Sequence, residues 1–202
     1  MVSVSPDVDR EGSAVPRKRA PVCDSIAGRT ISETPIVRVF LARLGNLRIC
    51  LRGRRGGGRP DVQPSHCLNA CLLSQLTVAG RYYAYAYRVN GDKSDANEHL
   101  SVHRVDLRSN AQVDLPAGGP LAPPVSSRVD VIALVLSSRG GFAWIVRDPT
   151  VIPTEYEVHS FGAGSARLLD RAPGIDPASL ALAGSNVYWT RDAMPKRFVL
   201  SG

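Results

Sequence analysis

Four cysteines offer the chain its broadest chemistry: Cys23, Cys50, Cys67 and Cys71, all in the first third of the sequence. Cys67-x-x-x-Cys71 with His66 beside it has the local spacing of half a zinc site. A zinc knuckle needs a second such pair, and Cys23 and Cys50 stand far from each other. Structural disulfides and free buried thiols are the remaining readings. Cys23 paired with Cys50 is the expected bridge, because it would anchor the polar segment before Cys23 to a strand at Leu47–Leu51. A Cys67–Cys71 bridge depends on the turn between them.

The histidines come next. Glu98-His99-x-x-x-His103 has the two-histidine spacing of a zinc helix, but Leu100, Val102, Val105 and Leu107 read as a strand. On a strand, positions i and i+4 lie about 13 Å apart and cannot share one ion. His159 follows Tyr156-Glu157-Val158 in a corresponding strand, and both histidines are expected to be exposed. Gly162-Ala163-Gly164-Ser165-Ala166 lacks the last glycine of a nucleophile elbow, and no phosphate-binding glycine loop is present. Asp106, Asp148, Glu155 and Glu157 show no spacing that would pair two carboxylates in one cleft. No residue is therefore assigned a catalytic, cofactor-binding or metal-binding role, and no cofactor is expected.

Two features suit binding. Arg52, Arg54, Arg55 and Arg59 alternate with glycines, as in segments that hold single-stranded nucleic acid, but without the interleaved aromatics. A glycine-rich loop explains them equally well. Tyr83, Tyr85 and Tyr87 alternate along a strand and share one face, where they would stack on a sugar or peptide or pack in a core between sheets.

The elements that would carry these residues are strands. Eighteen Gly and 15 Pro among 202 residues divide the chain into short pieces. Residues 1–22 are polar with three prolines and read as a disordered, basic lead-in. Residues 23–75 form an irregular β region, with strands at Pro35–Leu41 and Leu47–Leu51, a turn at Gly45-Asn46 and a helical turn at Cys67–Leu73. Residues 76–202 repeat a hairpin. Leu76–Tyr85 aligns without gaps to Leu180–Trp189, and Leu134–Trp144 aligns with one insertion. Each copy is an apolar strand, a turn at Gly80, Gly140-Gly141 or Gly184, and a strand ending in Tyr85, Trp144 or Trp189. The three aromatics are expected to be buried at matching positions. Further strands, at Leu100–Leu107, Val113–Leu115, Tyr156–Phe161, Arg167–Leu169 and Phe198–Leu200, make a unit of about four strands.

From Leu76 to Leu200 the pattern resembles a β-propeller of the bacterial TolB or WD type. The resemblance implies a partial array of antiparallel blades, completed by further repeats or self-association. A β-sandwich of related hairpins is the alternative architecture.

The formal charge of +7 is concentrated in residues 1–66, which hold 12 Lys and Arg against 6 Asp and Glu. No stretch approaches the ~18 apolar residues of a spanning helix. The N-terminus has no apolar signal core, and a Cys23–Cys50 bridge would point to an exported parent protein. The function expected is a non-enzymatic β-repeat binding or interaction module for a protein or carbohydrate. A propeller-type hydrolase or lyase, and nucleic-acid binding through the basic N-terminal third, are the alternatives.

Overall fold

A computed structural model describes residues 23, 26–41, 47–52, 71–89, 99–118 and 129–200 of the chain. The 1–22 lead-in, the Gly45-Asn46 turn, the arginine–glycine loop beyond Arg52, His66 and Cys67 lie outside the described residues. All described elements are strands, arranged as four antiparallel sheets in which every strand pairs with its neighbour in sequence. The first sheet holds β1 (Arg29–Glu33), β2 (Val37–Leu41) and β3 (Leu47–Leu51). The second holds β4 (Cys71–Ala79), β5 (Tyr82–Val89), β6 (His99–Asp106) and β7 (Gln112–Pro116). The third holds β8 (Asp130–Leu136), β9 (Phe142–Asp148), β10 (Glu155–Gly162) and β11 (Ser165–Ala172). The fourth holds β12 (Ile175–Ala183), β13 (Asn186–Arg191) and β14 (Met194–Val199).

Side-chain alternation along these strands decides how the sheets stack. In β5, Tyr83, Tyr85 and Tyr87 point one way and Ala84 and Ala86 the other, and all five are buried. The tyrosines pack with Val105 against Val37, Val39 and Ile49 of the first sheet. The alanines leave room on the opposite face, which Phe142, Trp144, Val146 and Phe161 of the third sheet fill. Ala143, Ile145 and Val158 on the far side of the third sheet meet Val187, Trp189 and Leu200. Three apolar layers therefore join four sheets in chain order. The inner strands sit together, β1 on β4, β4 on β8 and β8 on β12, so the sheets are stacked along their first strands. Among the described residues no core joins the fourth sheet back to the first.

The hairpin glycines occupy the turns after the first strands. Gly80 (φ 55°) joins β4 to β5, Gly140 (φ 91°) β8 to β9, and Gly184 (φ 62°) β12 to β13. Each positive φ suits glycine. The aromatics that end the second strands also match. Tyr85 lies opposite Leu76 and Trp144 opposite Leu134. Tyr85, Trp144 and Trp189 belong to the cores that join their own sheets to the preceding one.

Two expectations need correction. The helical turn at Cys67–Leu73 fails at its described end, because Cys71–Leu73 opens β4 and pairs with Tyr87–Val89. His103 and His159 are buried, at 7% and 2% exposure, because neighbouring sheets cover both sides of the strands that carry them. Pro177 lies inside β12 at a register break between Asp176 and Ala181. There the Ser179 hydroxyl accepts the Thr190 N–H at 2.8 Å, replacing a ladder bond.

Candidate functional site

The interior histidines hold equivalent places. His103 of β6 lies opposite Tyr85, and His159 of β10 lies opposite Trp144. The His159 ring stacks on Trp144 with centroids 5.2 Å apart and planes 12° apart, and its Nε2 lies 2.7 Å from Glu157 Oε2. That hydrogen bond, opposed by burial and helped by the Arg171 charge, holds the Glu157 carboxyl below its ordinary value. Arg171 also binds Glu155 at 2.7 Å, so Glu155 and Glu157 are drawn together at one end of the third sheet by a shared cation. Asp148, opposite Glu155, is at the same end, whereas Asp106 pairs with Arg81 at the end of β6 in the second sheet. A His–Glu pair can in principle pass a proton. Here it is packed against an indole inside a sheet interface, so its evident task is to satisfy a buried imidazole.

In the second sheet the corresponding network is more open. Tyr87 donates to Asp114 Oδ2 at 2.9 Å, and His103 Nδ1 lies 3.9 Å from the same oxygen without a hydrogen-bond partner. Burial raises the Tyr85 phenol well above its usual range and, with Asp114 adding to it, pushes Tyr87 up to about 12. Both hydroxyls stay protonated, which keeps Tyr87 a donor. The Tyr83–Tyr85–Tyr87 stripe faces the first sheet and is covered by it, so it packs as core; a sugar or peptide would have to displace that sheet.

The tryptophans tie consecutive sheets together. Trp144 Nε1 donates to the carbonyl of Ala117, just past β7, at 2.6 Å. Trp189 Nε1 donates to Asp170 Oδ2 of β11 at 2.9 Å, and Arg191 reaches Asp170 Oδ1 at 3.0 Å. In each case the outermost strand of one sheet, or the residue after it, supplies the acceptor for the next. Arg104 ties the second sheet to the third in a third way. It lies over the Tyr82 and Phe161 rings and donates to the Gly140 carbonyl at 2.8 Å.

The two ends of the stack differ. Part of the outer face of the first sheet is covered: Cys23 and Cys50 are joined by a disulfide with Cα atoms 5.7 Å apart, over Phe40 at 1% exposure, while β1 beside them is largely exposed. Arg38 lies over the Phe40 ring and donates to the carbonyls of Cys23, Ile26 and Gly28 at 3.2, 3.1 and 3.0 Å, holding the covering segment down. Among the described residues nothing covers the outer face of the fourth sheet. Tyr188 lies opposite Arg197 and Asn186 opposite Val199. Tyr188 and Val199 are 37% and 53% exposed, with Ala181 and Ala183 beside them. This face was not singled out by sequence, since its residues alternate like those of every covered strand.

Other sequence candidates are not assembled. Ser165 is exposed at the start of β11, its hydroxyl 3.5 Å from the Gly162 carbonyl. No group of three or more metal-ligating side chains occurs among the described residues, and no described helix is long and apolar enough to cross a membrane. No protein-family model, curated protein or solved structure matches the chain.

Proposed function

We propose that this chain is a non-enzymatic interaction module: an open, propeller-like stack of sheets whose fourth sheet docks a partner protein. The observation that carries this reading is the difference between the two ends. A disulfide and an arginine clasp cover Phe40 on the first sheet, while the fourth exposes Tyr188, Val199 and a basic outer strand. Tyr and Arg are enriched at interfaces, and here Tyr188 and Arg197 lie opposite each other on the exposed face. The sequential sheets, with glycine turns and back-facing aromatics at corresponding places, support the propeller-like description and the likeness to TolB or WD blades. The histidine–carboxylate pairs support the same reading, because they are spent within sheet interfaces.

The test is a selection of displayed random octapeptides against the folded protein, followed by amide chemical-shift mapping of the binders. Binders that perturb β13 and β14 support the module. No binders, or binders that map to another region, overturn it.

A further inference from the structure

We propose that the outer edge of β14 receives an extended, acidic segment of a partner protein as a fourth strand. This rests on the interaction-module reading and names its partner chemistry. The second and third sheets each carry a fourth strand, β7 on β6 and β11 on β10. Among the described residues the fourth sheet ends at β14, its third strand. The first sheet also ends at its third strand, β3, but residues beyond Arg52 there lie outside the described set.

The backbone of β14 is set to receive such a strand. Leu200 N–H donates inward to the Ser185 carbonyl at 2.7 Å. Antiparallel alternation then turns Phe198 and Lys196 inward and leaves the N–H groups of Val199 and Arg197 aimed at the free edge. Pro195 offers that edge only its carbonyl. Two donors and three acceptors are therefore available to an incoming backbone.

Charge selects what can join. Lys196 and Arg197 are exposed, and neither side chain makes an ion pair or hydrogen bond with a described residue. They project to opposite faces, so an added strand meets a cation whichever way its side chains alternate. The second sheet shows the complement. Lys196 faces Trp189 across the ladder as His103 faces Tyr85, and β7 places Asp114 opposite His103. The strand added to β14 would place a carboxylate at that same position. A second copy of the chain fits poorly, because antiparallel pairing of two β14 strands centred on Lys196 or on Arg197 sets that cation opposite its own copy. The proline and the cations also resist unselective apolar strands, as edge protection requires.

The test uses two capped octapeptides: Val-Thr-Val-Asp-Asp-Val-Thr-Val and the same peptide with Lys-Lys at its centre. Binding to the intact protein is read by amide exchange and titration. The Asp-Asp peptide is expected to slow exchange at Arg197 and Val199, with affinity about tenfold above the Lys-Lys peptide. The doubly substituted Lys196→Glu, Arg197→Glu protein, checked for an unchanged circular-dichroism spectrum, should reverse that preference. Arg197→Pro, which removes one outward donor, should weaken both peptides. Equal binding of both peptides, or protection confined to the Tyr188 face, overturns the acidic-strand proposal and leaves the module reading standing. Absence of any peptide effect on the fourth sheet, together with failure of the octapeptide selection, overturns both.

Discussion

The imidazole of His159 lies flat on the indole of Trp144, 5.2 Å between centroids, in the seam between the second and third sheets. The indole N–H reaches the Ala117 carbonyl at 2.6 Å and the imidazole Nε2 is paired with Glu157 at 2.7 Å. Trp144 Nε1 and His159 Nε2 each keep a hydrogen-bond partner in the seam, which lowers the cost of burying the pair. Removing Trp144 should therefore be costly. Trp144→Ala is expected to destabilise by about 3–5 kcal/mol in urea unfolding. A loss below about 1 kcal/mol, the scale of an ordinary surface change, would mean the seam is not packed as described.

The Glu157 carboxyl gives stability a pH dependence. Its folded-state pKa is depressed, first by the His159 hydrogen bond. A depressed carboxyl contributes stability above its unfolded pKa, and that contribution is lost as pH falls through the folded value. The unfolding midpoint of the wild type should therefore fall faster than that of Glu157→Gln as the pH drops below about 4.5. Parallel curves for the two proteins from pH 6 to 3 would contradict the pairing.

Glycine positions differ in what surrounds them. A Cβ at Gly140 would lie 2.9 Å from Tyr82 Cζ and 3.0 Å from Arg104 Nη1, at φ 91°. At Gly184, φ is 62° and nothing lies within 4 Å. Gly184→Ala should show backbone strain alone, about 1 kcal/mol, whereas Gly140→Ala should add a steric cost of about 1–3 kcal/mol against the Tyr82–Arg104 stack. Comparison of their unfolding free energies decides this; equal losses would count against Arg104 as an inter-sheet tie.

The disulfide covers Phe40 on the first sheet. Cys23 and Cys50 are 27 residues apart, and cross-linking them should contribute about 3–4 kcal/mol in the chain-entropy account. Cys50→Ser should lower stability by that order and expose Phe40. Thermal unfolding with and without reductant is the check, and an unchanged Tm would show that Arg38 alone holds Cys23, Ile26 and Gly28 in place.

Much of the architecture could be read in the amino-acid order. Glycine turns, period-2 apolar runs and terminal aromatics are local signals, and they mark β4–β5, β8–β9 and β12–β13. β1 was missed because Arg29–Glu33 has no apolar alternation and is largely exposed, held by its pairing with β2 and by the Glu33–Arg52 ion pair. The burial of His103 and His159 was missed because it depends on a neighbouring sheet, which no local pattern records. Tyr188 has the same difficulty in reverse. It sits on an alternating strand like Tyr85, and only the absence of a covering sheet among the described residues sets the two apart.

Residue-resolved amide exchange of the free protein tests the open fourth sheet most directly. Lys196, Phe198 and Leu200, whose N–H groups turn toward β13, should be protected, while Arg197 and Val199 should exchange about tenfold faster or more. Equal protection of Arg197 and Val199 with their neighbours would mean that another strand already covers β14, and the docking role assigned to this edge would fall.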